Sequence, residues 1–157
     1  MPERFARTFQ AGWGDMDFNA HMRNTAFLDR AGDVRMMYFQ ARGFPAAEFS
    51  RLRIGPVVRR DEIEYFREIH LLEPYTVTLA LDGLAPDGSR MWLVNEFLLA
   101  DGRPAARVRS AGGWLDLDAR RLVAPPAPLL AALMALPRTD DFAMLAVGAP
   151  PRAPGGA

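Results

Sequence analysis

Apolar residues recur along this chain with two different periods, and the change of period marks out its elements. Between about Asn24 and Ala41, the residues Phe27, Ala31, Val34, Tyr38 and Ala41 fall at three- and four-residue steps. That is the spacing of one buried face on an α-helix. Gly43 and Pro45 follow and end it, because glycine accepts the left-handed exit and proline cannot continue a helix.

Elsewhere the pattern is extended. Residues 4–13 read as a short strand leading to Trp13. After a loop through Ile54, Gly55 and Pro56, the segment from Val57 to His70 puts Val57, Asp61, Ile63, Tyr65 and Ile69 on one face, with imperfect alternation. Leu71 to Tyr75 is a connection, and Tyr75 to Leu81 is a strand by its β-branched and aromatic content. Pro86-Asp87-Gly88-Ser89 is a turn before a strand from Met91 to Ala100. Asp101-Gly102 then gives a hairpin signal into a strand from Pro104 to Leu117. A short helix is expected over Pro125 to Leu136.

Strand, long helix, then four antiparallel strands is an α+β outline. The helix carries one strong apolar stripe, so the sheet is expected to wrap it on one side. The other face or the outer edges are then open to a second copy of the chain, and a dimer is expected.

Composition narrows this picture. A chain of 157 residues with 50% hydrophobic content supports one core. We therefore expect a single domain over residues 1–145, with a Pro-rich tail over 146–157 that is disordered. The net charge of +0, with both signs dispersed, provides no basic stripe for nucleic acid and no polybasic patch for a membrane. Neither partner is expected. Apart from histidine every basic residue is Arg, which also suits phosphate recognition. The absence of Cys excludes disulfides, thiolate metal sites and cysteine nucleophiles. Met1 to Arg7 has no apolar run behind its charges, and no segment approaches the ~20 apolar residues of a membrane span. A cytoplasmic protein is the expectation.

The chemistry concentrates just ahead of the long helix, in Gly14-Asp15-Met16-Asp17-Phe18-Asn19-Ala20-His21-Met22-Arg23-Asn24. Free N–H groups at a helix start stabilise negative charge and can polarise a carbonyl. A carboxylate beside them can activate water or attack directly, which is the minimum apparatus for hydrolysing an activated acyl group such as a thioester. Spacing alone equally permits Asp15, Asp17 and Asn19 to be caps and turn formers.

The stretch from Trp13 to Leu28 resembles the signature of hot-dog-fold acyl-CoA thioesterases of the 4-hydroxybenzoyl-CoA thioesterase type. That signature is an aromatic, two spaced Asp residues, Gly-His, a hydrophobic residue and Asn-Asn before the helix. Glu62 to Arg67 with Leu72 to Val77 resembles the family's second long strand and its turn, and Trp114 to Asp118 resembles the end of its last strand. The likeness covers about residues 4–120. It implies one long helix wrapped by a five-stranded antiparallel sheet, a homodimer or dimer of dimers, and no cofactor. Asp17 is then the catalytic carboxylate, with backbone N–H groups around Arg23 and Asn24 polarising the carbonyl. His21 and Asn24 line or brace the site, and Asp15 shapes the loop. The substrate is a thioester of coenzyme A or of acyl carrier protein.

Two positions depart from the signature: Ala20 replaces the Gly before His, and Arg23 replaces the first Asn. Ala20 is strained if the loop needs a positive φ there, and Arg23 would bring charge near the acyl path. These departures leave open a hot-dog protein that binds an acyl group or a protein partner without hydrolysis. A hydratase or dehydratase ranks lower, because the His-centred pattern is absent.

Arg59, Arg60 and Arg109 are candidate contacts for the phosphates of coenzyme A. Asp15, Asp17 and His21 form an incomplete ligand set, so no metal is expected. His70, at a strand end with no chemical partner nearby in sequence, is assigned to structure. Met36, Met37, Tyr38 and Phe39 are core candidates, part of which can line an acyl tunnel. Trp92 and Trp114 are expected in core or interface.

Overall fold

The helical period becomes α1, Asn24–Ala41, in a computed structural model that describes residues 4–146. Most of the expected tail, 147–157, therefore lies outside the described residues. Phe27, Ala31, Val34 and Tyr38 are buried as the spacing requires, joined by Ala26 and Phe39, whereas Ala41, the last residue of the helix, is exposed. Gly43 at φ +90° turns the chain out of the helix.

Around α1 lie β1 (Phe5–Gln10), β2 (Ile54–Tyr65), β3 (Pro74–Leu84), β4 (Arg90–Leu99) and β5 (Pro104–Asp116). They pair antiparallel in the order β1-β3-β4-β5-β2. Helix and sheet meet through aromatic rings spread across that order. Tyr38 packs on Phe5 of β1 at 5.1 Å, Phe27 on Phe97 of β4 at 5.0 Å, and Phe39 on Trp114 of β5 at 5.4 Å. Each such ring, fully buried, contributes about 1.5–3 kcal/mol, so the contacts hold the sheet around the helix.

Three elements go beyond the expected outline. The segment read as a loop before Ile54 contains α2, Ala46–Leu52, whose Phe49 stacks on Trp114 at 5.8 Å. β6 (Arg121–Leu122) pairs with β5, and after α3 (Ala127–Met134) β7 (Arg138–Met144) runs parallel to β3, so the sheet has seven strands. β1 covers the β3 edge only from Pro74 to Leu79, and β7 takes the edge beyond, at Leu81 to Leu84.

β2 is an edge strand. It starts earlier than its pattern indicates, at Ile54, and its regular pairing stops at Tyr65. Ile54 is its one buried residue, while Val58 and Tyr65 are half exposed, and so is Phe66 just beyond. Opposite its bulge between Val58 and Arg60, β5 carries Gly112. A Cβ there would lie 2.2 Å from the Val57 carbonyl oxygen, so only glycine permits this close approach. No described helix is long and apolar enough to cross a membrane.

Candidate active site

The loop joining β1 to α1 folds on itself before the helix begins. Met16 and Met22 form an isolated antiparallel bridge, the Asp17 N–H donates to the His21 carbonyl at 2.7 Å, and the Ala20 N–H donates to the Asp17 carbonyl at 3.1 Å. The tight turn so formed holds the Asp17 side chain through one oxygen. Oδ1 accepts the N–H of Asn19 at 2.8 Å and that of His21 at 3.0 Å. Oδ2 has no protein partner among the described residues, and Asp17 is exposed. Ala20 sits at φ +60°, so the left-handed geometry is kept despite a Cβ, at a cost of about 1–2 kcal/mol.

Asp17 lines a cavity of about 360 Å³ with His21, Asn24, Phe27, Tyr65 and Glu68. Asn24 is the first residue of α1, and its N–H meets no acceptor among the described residues. It is one of the free donors that a helix start leaves. The Arg23 N–H, grouped with it in the sequence reading, is instead committed to the Asp15 carbonyl at 2.8 Å. Partial burial raises the pKa of the Tyr65 phenol, whose side chain also lines the cavity.

Asp15 shapes the loop. Its carboxylate accepts the Gly12 N–H at 3.1 Å and pairs with Arg30 of α1 at 3.2 Å. The Arg23 guanidinium folds back onto the Gly14 carbonyl and Thr25 Oγ1, with Asp29 at 3.7 Å. Its charge is thus tied to the loop and the first turns of α1.

His70 departs from its expected isolation. It pairs with His21 as an isolated bridge, the two rings meeting edge to face at 5.1 Å, with Glu68 and Glu73 beside them. No local pattern shows this, because the pairing joins segments remote in sequence.

The three arginines of the sequence reading separate. Arg59 and Arg60 line a larger cavity of about 550 Å³ that includes Val57, Trp92 and Gly112. Arg60 also pairs with Glu62 at 2.7 Å, and Arg59 has no side-chain partner among the described residues. Arg109 is absorbed by the fold, bonded to Asp82 and stacked on Trp92 at 3.9 Å.

One polar group went unnoticed in the sequence. Arg35, on the buried side of α1, donates to Asn95 at 2.9 Å and to Ser110 at 2.7 Å, and Ser110 donates to Asp61. Burial lowers the Arg35 guanidinium to about 10 against the opposing pull of Asp61. With Met36, Phe39, Val57 and Leu93 it lines a cavity of about 130 Å³ between helix and sheet. An Arg amid an apolar stripe is the one sequence signal for it.

Comparison with known proteins gives this geometry a family. A Staphylococcus aureus protein solved in complex with CoA superposes with a TM-score of 0.77 at 20% identity, covering 87% of this chain and 88% of its own. A 1,4-dihydroxy-2-naphthoyl-CoA thioesterase from Synechocystis gives 0.75 at 16% identity, covering 84% and 96%. A gentisyl-coenzyme A thioesterase gives 0.72 at 15%, covering 82% and 98%. At these identities the likeness is one of fold, and the fold is the expected hot-dog. A search of curated sequences finds no significant match. The family model of the thioesterase-like superfamily matches residues 11–133, from the loop before Asp17 into α3, and the chain belongs to that superfamily.

Proposed function

We propose that the protein is an acyl-CoA thioesterase with Asp17 as its catalytic carboxylate. The observation that carries this reading is the holding of Asp17. Two backbone N–H groups grip Oδ1, Oδ2 is unpartnered, and the carboxylate shares a cavity with the start of α1. Oδ2 removes a proton from water as it adds to the thioester carbonyl, or itself attacks to form an anhydride that water then opens. The Asn24 N–H and the helix start stabilise the oxyanion. The carbon–sulfur bond then breaks, and the thiolate of coenzyme A leaves.

Membership of the superfamily and the CoA-thioester names of the similar structures support thioester hydrolysis. A homodimer or a dimer of dimers completes the reading. The exposed β2 edge is a template for a second copy. Pairing along that edge brings Arg59 and Arg60, midway along β2, beside the second copy, where cations can meet the phosphates of coenzyme A.

Thiol release from short, long and aromatic acyl-CoAs, with wild type and Asp17→Asn side by side, tests the assignment. Release that disappears in the variant is expected. Saturable acyl-CoA binding with no free thiol would instead make this an acyl-binding protein. Single turnover in ¹⁸O-water tests the anhydride route, since label enters Asp17 when water opens the anhydride at the Asp17 carbonyl.

A further inference from the structure

The chain has only two histidines and no cysteine, and both imidazoles converge on one carboxylate. His21 Nε2 lies 3.1 Å and His70 Nε2 lies 3.7 Å from Glu68 Oε2. One ligand atom from each of the three residues falls within 4.8 Å of the other two. The backbone explains the convergence. The Met22 N–H donates to the Ile69 carbonyl at 2.8 Å, placing His21 directly across from His70. Glu68 and His70, two residues apart in extended chain, project to one side.

The nitrogens are also oriented. Glu73 Oε2 accepts the His70 N–H at 2.8 Å and lies 3.2 Å from the ring Nδ1. A carboxylate on Nδ1 favours the tautomer with the proton there, which leaves the Nε2 lone pair facing Glu68. This carboxylate–histidine arrangement is the one that orients metal-bound imidazoles. A proton can bridge one of these pairs, whereas a metal ion satisfies all three groups together. Tetrahedral zinc with bonds of ~2.0–2.1 Å needs ligand atoms about 3.3 Å apart, and the two spacings to Glu68 bracket that value. Two imidazoles and one carboxylate select zinc and its neighbours over magnesium or calcium, which prefer all-oxygen shells.

We propose that His21, Glu68 and His70 bind a zinc-class divalent cation, with Glu73 as the positioning residue for His70. His21 and Glu68 also line the Asp17 cavity, so the ion would sit on its wall. The site does not depend on thioester hydrolysis and is tested without it.

The experiment is Zn²⁺ titration of the untagged full chain, by calorimetry and by competition with a chromophoric chelator, while the two imidazole resonances are followed by NMR. One ion per chain is expected, with both imidazoles shifting together and no response to Mg²⁺. His70→Ala and Glu68→Ala, at side chains about 60% exposed and thus safe for folding, should each weaken Zn²⁺ at least tenfold. Glu73→Gln should weaken it by about 10–100-fold, as loss of an outer carboxylate does. Absence of Zn²⁺ binding by the wild type, with imidazoles that respond only to pH, would overturn the proposal in favour of a proton-bridged cluster. Zn²⁺ affinity unchanged in His70→Ala would overturn it too.

Discussion

Asp17 and Asp82 are both carboxylates beside the framework of one sheet, and they are used in opposite ways. Asp82, on β3, is 2% exposed, with Arg109 donating to one oxygen and Thr139 of β7 to the other. Burial alone would raise its pKa, but the hydrogen bonds from Thr139 and Arg109 and the charge of Arg109 outweigh it and hold the group below the usual carboxylate range. Asp17 is exposed, with one oxygen gripped by backbone and the other open. A carboxylate whose acceptor capacity is used up by the fold holds elements together. One held on a single oxygen retains the other for a reaction.

The comparison breaks most sharply at Asp17. Asp17→Asn keeps the oxygen that accepts the two N–H bonds, so thioester hydrolysis should fall about 10²–10⁴-fold while the unfolding midpoint stays put. A large loss of stability would show that Asp17 is structural after all. Asp82→Ala should do the reverse. It leaves Thr139 without its acceptor and Arg109 with only the longer pair to Glu62 at 3.8 Å, costing about 1–3 kcal/mol in urea unfolding, with hydrolysis per folded molecule retained.

The same pair separates in acid. The depressed pKa of Asp82 means its stabilisation is present above the ordinary carboxylate value and is lost as pH falls through the lower, folded value. Wild type should therefore lose stability below about pH 4 more steeply than Asp82→Ala, as denaturant titrations at stepped pH would show. The smallest effect is expected at Ala20→Gly. Relief of the positive φ should raise stability by about 1 kcal/mol and leave hydrolysis intact, whereas destabilisation would mean that the alanine methyl supports the turn.

Much of this contrast was legible in the motif and little of it in the patterns around it. The Asp17 turn is local, made by residues within a few positions of one another, so a short signature carries it. Ala20 in place of glycine is strained if the loop needs a positive φ, and its φ of +60° meets that condition. Arg109 reads as a candidate phosphate contact because its acceptor lies on another strand and its aromatic platform on a third. His70 reads as solitary because its bridge to His21 is long-range, although two of its partners, Glu68 and Glu73, lie within three residues of it.

By itself the sequence determined α1, the antiparallel strands and the wrapped α+β architecture, since periodicity and turn residues act over a few neighbours. Only the tertiary structure decided what fills the remaining places. β7 has almost no alternation of its own and becomes a strand because β1 leaves part of the β3 edge unpaired. α2 is stabilised by Phe49 on Trp114, and the two histidines share Glu68 because an isolated bridge sets the loop before α1 beside the loop between β2 and β3. Each of these depends on a partner that long-range packing supplies.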